Sequence, residues 1–284
     1  MPDSTHTLMP QVALIGFGEA GETFAAAGRW KGRARGWDLL AARRALMAAN
    51  AVEPAPDAAA ALDGAEIVLS LVTADAALPA AQDYAALLRA GALWCDMNSM
   101  APSTKREAAA AIEAAGGRYV DVAVMAPVNK GLAVPLLLAG RAAEDAQALL
   151  AALGFTDIRV VGEEVGRASA IKMIRSVMVK GLEALSFECA AAAREAGVFD
   201  EVMASLDASE RDWNWTRRVA YNRERMETHG ERRAAEMEEV CRTLADLEVE
   251  PVMSRGTVIR QRAAAQNRTG DRTGDRNEQR NEAA

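Results

Sequence analysis

The chain has 284 residues, of which 50% are hydrophobic and 26% are charged, and its formal net charge is −7 at pH 7. A chain of this length can hold one large or two medium domains. The hydrophobic share is enough for a substantial core. Because binding to a nucleic-acid backbone needs a basic face, the acidic balance argues against DNA or RNA partners. No uninterrupted apolar run approaches the ~20 residues of a bilayer span, so no membrane partner is expected.

Cysteine usage and the first residues bear on the cellular location. The three cysteines, Cys95, Cys189 and Cys241, are far apart and odd in number. This pattern fits neither a disulfide framework nor a zinc site, so no metal is expected. Residues 1–10 lack the basic and apolar segments of an export signal. We therefore expect a cytoplasmic protein with a flexible N-terminus over residues 1–9.

A glycine-rich motif lies near the start of the chain. An apolar run over residues 12–15 is followed by Gly16-Phe17-Gly18-Glu19-Ala20-Gly21, which has the spacing G-x-G-x-x-G, and then by a helix-like segment. In such a unit the first glycine allows a tight turn, the second lets the backbone approach a pyrophosphate, and the third allows close helix packing. Free N–H groups at the helix N-terminus can hold the diphosphate. The motif predicts a dinucleotide site at Gly16, Phe17, Gly18, Glu19, Ala20 and Gly21, with a plain strand–helix turn as the alternative.

Strand-like and helical patterns alternate up to about residue 162. Strands are expected at 11–15, 34–38, 66–71, 92–96, 118–122, 134–138 and 157–161. Helices are expected near 41–49, 76–90, 103–115 and 142–153. Alternation of this kind predicts an α/β domain with a doubly wound parallel sheet, here a Rossmann-type dinucleotide-binding domain over residues 10–163. We also assign Val72, Thr73 and Asn98 to its cofactor site.

The second half of the chain has a different pattern. Beyond residues 162–166 the apolar spacing is helical and no strand pattern is present, with breaks near 207–209, 229–230 and Pro251. We expect an all-α C-terminal domain over residues 164–261. Residues 262–284 repeat Thr-Gly-Asp-Arg and contain no large apolar residue, which predicts a disordered tail.

Asp38 bears on the choice between NAD and NADP. It ends the second strand-like segment, 17 residues after Gly21. A carboxylate at this point accepts hydrogen bonds from the adenosine ribose and repels a 2′-phosphate, which favours NAD. Arg43 and Arg44 could reach such a phosphate, so NADP stays open. The alternative is that Asp38 is a turn residue and both arginines lie on a solvated helix surface.

A narrow polar line marks the first long helix of the C-terminal half. Five polar residues fall within an arc of roughly 80° at 100° per residue, while most of the rest are apolar: Ser169, Lys172, Ser176, Lys180 and Glu183. A buried helix with one polar line indicates a lined cleft, where desolvation would lower the pKa of a lysine toward the range useful for acid–base catalysis. The alternative is a thin solvent-exposed strip with local ion pairs.

Four sequence blocks together resemble one enzyme family over residues 10–260. They are the GFGEAG loop, Asp96-Met97-Asn98-Ser99-Met100-Ala101-Pro102, the segment 119–127, and Gly166-Arg-Ala-Ser-Ala-Ile-Lys172. The chain resembles the β-hydroxyacid dehydrogenases, relatives of 3-hydroxyisobutyrate and 6-phosphogluconate dehydrogenases. It is most similar to a phosphogluconate-dehydrogenase-like branch whose C-terminal domain has no settled function.

The resemblance implies that Lys172 exchanges a proton with the reacting oxygen while hydride moves to the nicotinamide. It also implies a homodimer that pairs through the helical domains. The retained lysine argues against the imine reductases of the same superfamily, which usually carry another residue here. His6 and His229 are the only histidines of the chain, so a lysine is the better candidate for proton transfer.

The third and fourth blocks depart from the family pattern. Where the family has Ser-Gly-Gly, this chain has Met125-Ala126-Pro127, and Pro127 has no N–H to offer a carboxylate. Ser176 replaces the family's asparagine. A substrate carboxylate could then be recruited by Lys180, His229 or Arg233. The expected substrate-binding residues are Ser99, Val124, Met125, Ala126, Ser176, Lys180, His229 and Arg233.

The sequence therefore predicts an NAD(P)-dependent oxidoreductase that interconverts a β-hydroxy acid, or a related sugar acid or alcohol, and its carbonyl form. Two alternatives stay open at this point. One is a non-catalytic dinucleotide-binding sensor or scaffold, which the altered third block supports. The other is an imine reductase-like enzyme with an unusual proton donor.

Overall fold

The computed structural model describes residues 10–209 and 215–281 and divides the chain into two compact units, Met1–Val177 and Met178–Ala284. Three segments lie outside the described part: residues 1–9, where a flexible N-terminus is expected, and residues 210–214 and 282–284. None of the described helices combines the length and the apolar character that a transmembrane segment needs.

An eight-stranded sheet forms the centre of the first unit. Its strands, in chain order, are β1 (Val12–Ile15), β2 (Ala34–Trp37), β3 (Glu53–Pro54), β4 (Ile67–Ser70), β5 (Leu93–Asp96), β6 (Arg118–Val124), β7 (Leu136–Ala139) and β8 (Ile158–Gly162). The spatial order is β3-β2-β1-β4-β5-β6-β7-β8. Every neighbouring pair is parallel except β6 and β7.

Helices cover both faces of this sheet. They are α1 (Glu19–Gly28), α2 (Ala41–Met47), α3 (Ala58–Leu62), α4 (Ala74–Tyr84), α5 (Pro102–Ala114) and α6 (Ala143–Ala152), with short 3₁₀ turns at 48–50, 85–87 and 128–133. Alternate residues of β1 enter two separate apolar clusters, Val12 and Leu14 in one, Ala13 and Ile15 in the other. Successive side chains of a strand point to opposite faces, so the sheet has a core on each side.

The expected doubly wound α/β domain is confirmed, with two differences of detail. The sequence analysis missed β3 and α3, which are only two and five residues long and too short for a periodic signal. A parallel sheet was expected, and all neighbouring strands are parallel except β7, which runs antiparallel to β6. A parallel connection needs a crossover of about a dozen residues or more, and residues 125–135 form only a short 3₁₀ turn and loop.

The second unit is helical. Helix α7 (Arg167–Glu195) begins in the first unit and continues into the second, followed by α8 (Phe199–Ser209), α9 (Trp215–Asp246) and α10 (Val252–Asn281). Residues 163–209 and 215–281 contain no strand, which agrees with the expected all-α C-terminal half. The division between the two compact units falls at Val177, inside α7.

One expected interruption is absent from the described helices. The expected break at 229–230 is wrong, because α9 passes through both residues. Gly230 is buried, and a Cβ there would lie 2.2 Å from the carbonyl oxygen of Gln261, so this glycine allows α9 and α10 to pack closely. Helix α10 continues to Asn281, so it overlaps the stretch 262–281 for which the composition predicts disorder, and that disorder stays a prediction.

Candidate dinucleotide and active site

The glycine-rich loop joins β1 to α1. Gly16 has a φ of +91°, and a Cβ there would lie 2.6 Å from the carbonyl oxygen of Leu71. A Cβ on Gly21 would lie 2.9 Å from the carbonyl oxygen of Gly16, whereas one on Gly18 would meet nothing within 4 Å. The first and third glycines are thus required by the packing of the loop itself. The second faces open space at the start of α1, where a ligand could approach the backbone.

The residues predicted to bind cofactor and substrate in the first unit follow the carboxyl ends of parallel strands. Strands β1, β2, β4, β5 and β6 all run in the same direction, so these ends share one edge of the sheet. The chain crosses from one side of β1 to the other between β3 and β4, which makes the β1–β4 edge a topological switch point. At this edge lie Gly16 to Gly21, Asp38, Val72, Thr73, Asn98, Ser99 and Val124 to Ala126.

Asp38 holds the glycine-rich loop against the end of β2. Its carboxylate accepts hydrogen bonds from the N–H of Phe17 at 2.7 Å and from the N–H of Leu40 at 2.8 Å. Each carboxylate oxygen can accept a second hydrogen bond. Asp38 is half-buried, so its carboxylate can serve both the loop and a ribose hydroxyl.

The two arginines after β2 have different partners. The Arg44 guanidinium donates to the carbonyl oxygens of Asp38 at 2.6 Å and Leu39 at 3.0 Å, and it lies 4.7 Å from the ring centre of Trp37. Arg43 pairs with Glu22 at 3.7 Å. Arg44 is therefore fixed beside Asp38, whereas Arg43 faces α1.

Val72 and Thr73 lead from β4 into α4. Val72 is half-buried and Thr73 is exposed at the N-cap of the helix. A hydrogen bond from the Thr73 side chain is the largest cause that lowers the pKa of the nearby Asp75 carboxyl. The first turn of α4 is therefore organised by Thr73 at the same edge as the glycine-rich loop.

Lys172 and Ser99 meet at this edge. The Lys172 Nζ donates to the Ser99 Oγ at 2.6 Å, which joins the second turn of α7 to the loop after β5. Lys172 is half-buried and Ser99 is exposed. Ser176 donates its hydroxyl to the carbonyl oxygen of Lys172 at 2.9 Å. The pair thus brings together an amine and a hydroxyl whose roles were predicted separately.

Several large apolar side chains of α7 are exposed among the residues that the structure describes, whereas a buried helix was one of the two expectations. Ile174 is 72% exposed. Within the polar line Ser169 is buried and Ser176 half-buried, while the side chains of Lys180 and Glu183 lie outside the described residues. The same helix exposes Ile171, Met178, Val179, Leu182 and Leu185.

A buried polar network lies directly beneath Ser99 and Lys172, and the sequence analysis missed it. Lys105 on α5 lies between Asp96 at the end of β5 and Asp121 on β6, with its Nζ 3.0 Å and 3.5 Å from their Oδ1 atoms. The Tyr119 hydroxyl donates to Asp96 Oδ2 at 2.6 Å. All four side chains are essentially solvent-free. A signal was present, because Lys105 occupies the apolar face of α5 with Ala108, Ala109 and Ile112.

Burial and charge keep two neighbouring acids of this network protonated. Burial, with the adjacent Asp96 charge, raises the pKa of the Cys95 thiol to about 12. Burial and the same carboxylate also raise the pKa of the Tyr119 hydroxyl far above its usual value. Cys95 is therefore an inert core thiol, and Tyr119 acts only as a hydrogen-bond donor.

Asn98 and Met125 have structural partners as well as predicted ligand roles. Asn98 is buried, and its Nδ2 donates to Ser70 Oγ at 3.0 Å and Asp96 Oδ1 at 2.8 Å. The Met125 N–H donates to the carbonyl oxygen of Pro135 at 2.9 Å. The Met125 side chain packs with Ala168 on α7 in a small apolar cluster. Val124 is buried, and Ala126 is half-buried beside it.

The remaining predicted substrate residues belong to the second unit. His229 is exposed on α9. Arg233 is half-buried and lines a concave site of ≈ 430 Å³ between α9 and α10, with Tyr221, Asn222, Arg225, Met226 and Gln261. Gln261 is 6% exposed, and its Oε1 has no hydrogen-bond partner within the described part of the chain. The site therefore combines two guanidinium groups with an unsatisfied acceptor.

The edge of the sheet fits a dinucleotide. Its open position at Gly18, the first N–H groups of the ten-residue helix α1 and the Asp38 carboxylate supply what a diphosphate and a ribose require. Among the residues described, no cluster of three or more histidine, cysteine or acidic side chains could hold a metal ion.

Comparison with known proteins gives two domain matches and several relatives. Residues 11–162 match the NAD binding domain of 6-phosphogluconate dehydrogenase, and residues 193–264 match a domain of unknown function, DUF1932. An uncharacterized 28.5 kDa protein from Methanothermus fervidus is 26% identical over 145 residues. That match spans 51% of this chain and 55% of the relative, so the chain spans about half the length of the curated relative it matches.

Solved structures extend the similarity over both units. A conserved hypothetical protein from Sinorhizobium meliloti 1021 is 38% identical, with 92% of this chain and 90% of that one covered and a TM-score of 0.61. Conserved protein MTH1747, described as similar to 3-hydroxyacid dehydrogenases, is 30% identical over 91% of this chain and 98% of its own, with a TM-score of 0.59.

An imine reductase from Streptomyces aurantiacus shares the fold at 21% identity and a TM-score of 0.73, with 90% of this chain and 95% of that one covered. The resemblance to the β-hydroxyacid dehydrogenases is confirmed by these matches. The chain belongs to the family defined by the NAD binding domain of 6-phosphogluconate dehydrogenase, followed here by a DUF1932 domain.

Proposed function

We propose that the protein is an NAD(P)-dependent oxidoreductase that interconverts a β-hydroxy acid, or a related sugar acid or alcohol, and its carbonyl form. The observation that carries this proposal is the 2.6 Å contact between Lys172 Nζ and Ser99 Oγ at the sheet edge where the dinucleotide loop lies. The bound nicotinamide dinucleotide would supply the hydride acceptor or donor. The chain's own residues must then bind the substrate and move its proton.

Lys172 is the proposed proton carrier. In the oxidising direction, loss of hydride from carbon requires that the hydroxyl proton leave the same substrate, and a neutral amine at Lys172 Nζ would accept it. Ser99 holds that amine by hydrogen bond at the sheet edge. Ser176 bonds the carbonyl oxygen of Lys172, which steadies the backbone of the same turn. In the reducing direction the ammonium returns the proton to the carbonyl oxygen.

The substrate's anionic group would be bound differently from the family pattern. The N–H of Met125 is already used by Pro135, and Pro127 has none. We propose that cationic side chains replace those backbone donors, with Arg233 as the first candidate and Lys180 and His229 as the other two. Val124, Met125 and Ala126 would then supply mainly apolar contact to the substrate's carbon chain.

The cofactor is proposed to be NAD, with NADP as the alternative that Arg44 leaves open. The Asp38 carboxylate is fixed at the end of β2 by two backbone N–H groups. A fixed negative charge at that position repels a 2′-phosphate. Gly16 to Gly21 would bind the diphosphate, and Val72, Thr73 and Asn98 would line the remaining path toward the reacting carbon.

We further propose a cytoplasmic homodimer. Among its described side chains, helix α7 exposes six large apolar ones between Ile171 and Leu185, most of them three or four residues apart. A contiguous exposed apolar face of this kind marks a protein–protein contact. A second copy of the chain is the proposed occupant, because two copies of one such helix are complementary in composition.

Testing the reaction requires a panel of β-hydroxy acids and sugar acids, each with NAD and NADP, followed by the absorbance of reduced nicotinamide. We expect turnover with at least one compound and a preference for NAD. Lys172→Met should reduce that turnover by about 10²-fold or more, the scale of general acid–base catalysis. Cofactor affinity, measured by NADH fluorescence, should change little.

The same assay separates the competing functions. Lys130→Met serves as the matched control, because Lys130 is an exposed lysine outside the proposed proton path. Unchanged turnover in Lys172→Met would reject the lysine as proton carrier. Cofactor binding without turnover on any acid or added imine would favour a sensor, and turnover only on imines would favour a reductase of the imine class.

A further inference from the structure

Lys105 is a buried charge that the proposed reaction does not use directly. Its side chain is 0% exposed, on the face of α5 that packs on the sheet. The Nζ donates to the Asp96 carbonyl oxygen at 2.6 Å and to Asp96 Oδ1 at 3.0 Å, and it lies 3.5 Å from Asp121 Oδ1. One ammonium group thus joins the end of β5 to the middle of the neighbouring strand β6.

The Asp96 arm of this network leads to Ser99. Asp96 Oδ1 accepts hydrogen bonds from the Asn98 N–H at 3.0 Å and from Asn98 Nδ2 at 2.8 Å. Asn98 immediately precedes Ser99, whose hydroxyl accepts from Lys172. The position of Asp96 therefore sets the path of the loop that presents the Ser99 hydroxyl.

The Asp121 arm leads to Lys172. Asp121 Oδ2 accepts hydrogen bonds from the N–H groups of Gly166 at 3.1 Å and Ser169 at 3.0 Å. The N–H groups at the start of a helix have no acceptor within the helix itself, and here Asp121 supplies one. Lys172 follows Ser169 by three residues, which is close to one helical turn. The position of Asp121 therefore sets where the first turns of α7 lie against the sheet.

The charges explain why a cation is needed between these arms. Asp121 Oδ1 is buried with no hydrogen bond within the described residues, so the Lys105 ammonium at 3.5 Å is what compensates its charge there. Two buried carboxylates without that ammonium would repel each other and spread the two strands. The helix N-terminus compensates only Oδ2.

Helix α5 also contacts the start of α7 directly. A Cβ on Gly166 would lie 2.8 Å from Arg106 Nη1 and 3.1 Å from the Cβ of Pro102. The helix that carries Lys105 therefore approaches the start of α7 as closely as side chains allow. A shift of α5 would be transmitted to the turn that precedes Lys172.

We propose that Lys105 is a positioning residue that sets the contact between Ser99 and Lys172 through Asp96 and Asp121. This proposal rests on the proposed function, because that function assigns the proton transfer to Lys172 in contact with Ser99. The Lys105 Nζ contacts Asp96 and Asp121, and it acts on Ser99 and Lys172 through these two carboxylates.

The test compares two variants with a surface control. Lys105→Met removes the ammonium and keeps an unbranched side chain. The double variant Lys105→Met/Asp121→Asn also removes the carboxylate left uncompensated, so it should fold even where the single variant does not. Lys31→Met changes an exposed lysine and serves as the matched control.

Hydrogen exchange measured by mass spectrometry reads the two arms without any substrate. In the variants we expect at least tenfold faster amide exchange in peptides that cover residues 97–100 and 166–172. Exchange in the glycine-rich loop, residues 16–21, should match the wild type, and NADH affinity should stay within twofold. With a substrate from the panel, kcat should fall at least tenfold at unchanged NADH affinity.

Each outcome decides the proposal. Wild-type exchange at both segments in a folded variant would overturn it, and so would a loss of NADH affinity as large as the loss in kcat. If neither variant folds, the network serves the sheet itself and the positioning role is rejected. If exchange changes as expected but Lys172→Met keeps full turnover, the proposed function fails while the structural coupling stands.

Discussion

The sheet unit and the helical unit differ in how completely each buries its apolar side chains. The first unit encloses Trp30, Trp94 and Phe24 at 1% exposure or less and has a continuous cluster on each face of the sheet. Among the described side chains of the second unit, the buried hydrophobic ones are Ala193, Ala234, Leu244 and Val258. The sheet unit can therefore be stable through its own contacts, whereas fewer of the described apolar side chains of the helical unit are buried.

Polar groups are used differently in the two units as well. In the sheet unit, Asp38 and the Lys105 network hold loops that end at the candidate site. In the helical unit, Glu188 holds the start of another helix, α10. Changes to the former should appear mainly in function, and changes to the latter mainly in stability.

The exposed face of α7 is expected to be covered by a second copy of the chain. Leu182 and Leu185 are 43% and 44% exposed. Leu182→Glu/Leu185→Glu should raise the dimer dissociation constant by about 100-fold or more, because two carboxylates would be buried without partners. Sedimentation equilibrium measures this constant.

A matched control for that variant lies on α9. Val219 is 52% exposed and lies outside the α7 face, so Val219→Glu should leave the dissociation constant unchanged. A wild-type protein that is monomeric at micromolar concentration would contradict the prediction that a second copy covers α7.

The fold of the first unit was predictable because its strands are short continuous apolar runs. Seven of the eight strands were located from the sequence. The missed strand, Glu53–Pro54, has two exposed residues and therefore no hydrophobic pattern. Periodicity also cannot give strand direction, so the antiparallel β7 emerged only from the structure. In the helical half, Gly230 indicated a break because glycine is a poor helix former, but close packing on α10 outweighs that cost.

The candidate site was predictable only where a motif spans consecutive residues. The glycine-rich loop and the line of polar residues on α7 are local patterns. The contact between Lys172 and Ser99 joins residues 73 positions apart, and nothing in one sequence gives such a distance. Lys105 was overlooked because a lysine on a helix is usually solvent-exposed. The residues at i+3, i+4 and i+7 from it, all apolar, were the available sign of burial.

Asp38 tests whether a polar group of the sheet unit can change function while leaving stability intact. Asp38→Asn removes the negative charge but keeps an acceptor for the N–H of Phe17 or Leu40. The ratio of NAD to NADP affinity should fall by about tenfold, equivalent to about 1.4 kcal/mol. Fluorescence titration with NADH and NADPH measures both affinities.

The matching control for Asp38 is Asp83→Asn on α4, where the carboxylate is exposed and away from the strand ends. It should leave both affinities unchanged. A wild type that already binds NADPH more tightly would contradict the assignment of Asp38 and favour Arg44 as the group that reads the ribose. The thermal midpoint of Asp38→Asn should stay close to that of the wild type.

Glu188 is the corresponding polar group of the helical unit, and its effect should depend on pH. Its carboxylate accepts from the N–H groups of Met253 at 2.7 Å and Ser254 at 3.0 Å and from the Ser254 hydroxyl at 2.7 Å. Desolvation acts to raise the pKa of this carboxyl, but the hydrogen bonds from Met253 and Ser254 outweigh it and lower the pKa below its usual value. The ionised form is thus preferred in the folded state.

Because the folded pKa is the lower one, the stabilising contribution of Glu188 is fully present above the unfolded pKa and is lost as pH falls through the folded pKa. Glu188→Gln should lower stability at pH 7 by about 1 kcal/mol, the usual scale of a helix cap. The difference from the wild type should shrink as pH falls below about 4.5. Thermal unfolding followed by circular dichroism measures it, with the exposed Glu224→Gln as control. A difference that is constant from pH 7 to pH 3 would mean that Glu188 acts through shape alone, since a cap that acts through its charge must weaken once it is protonated.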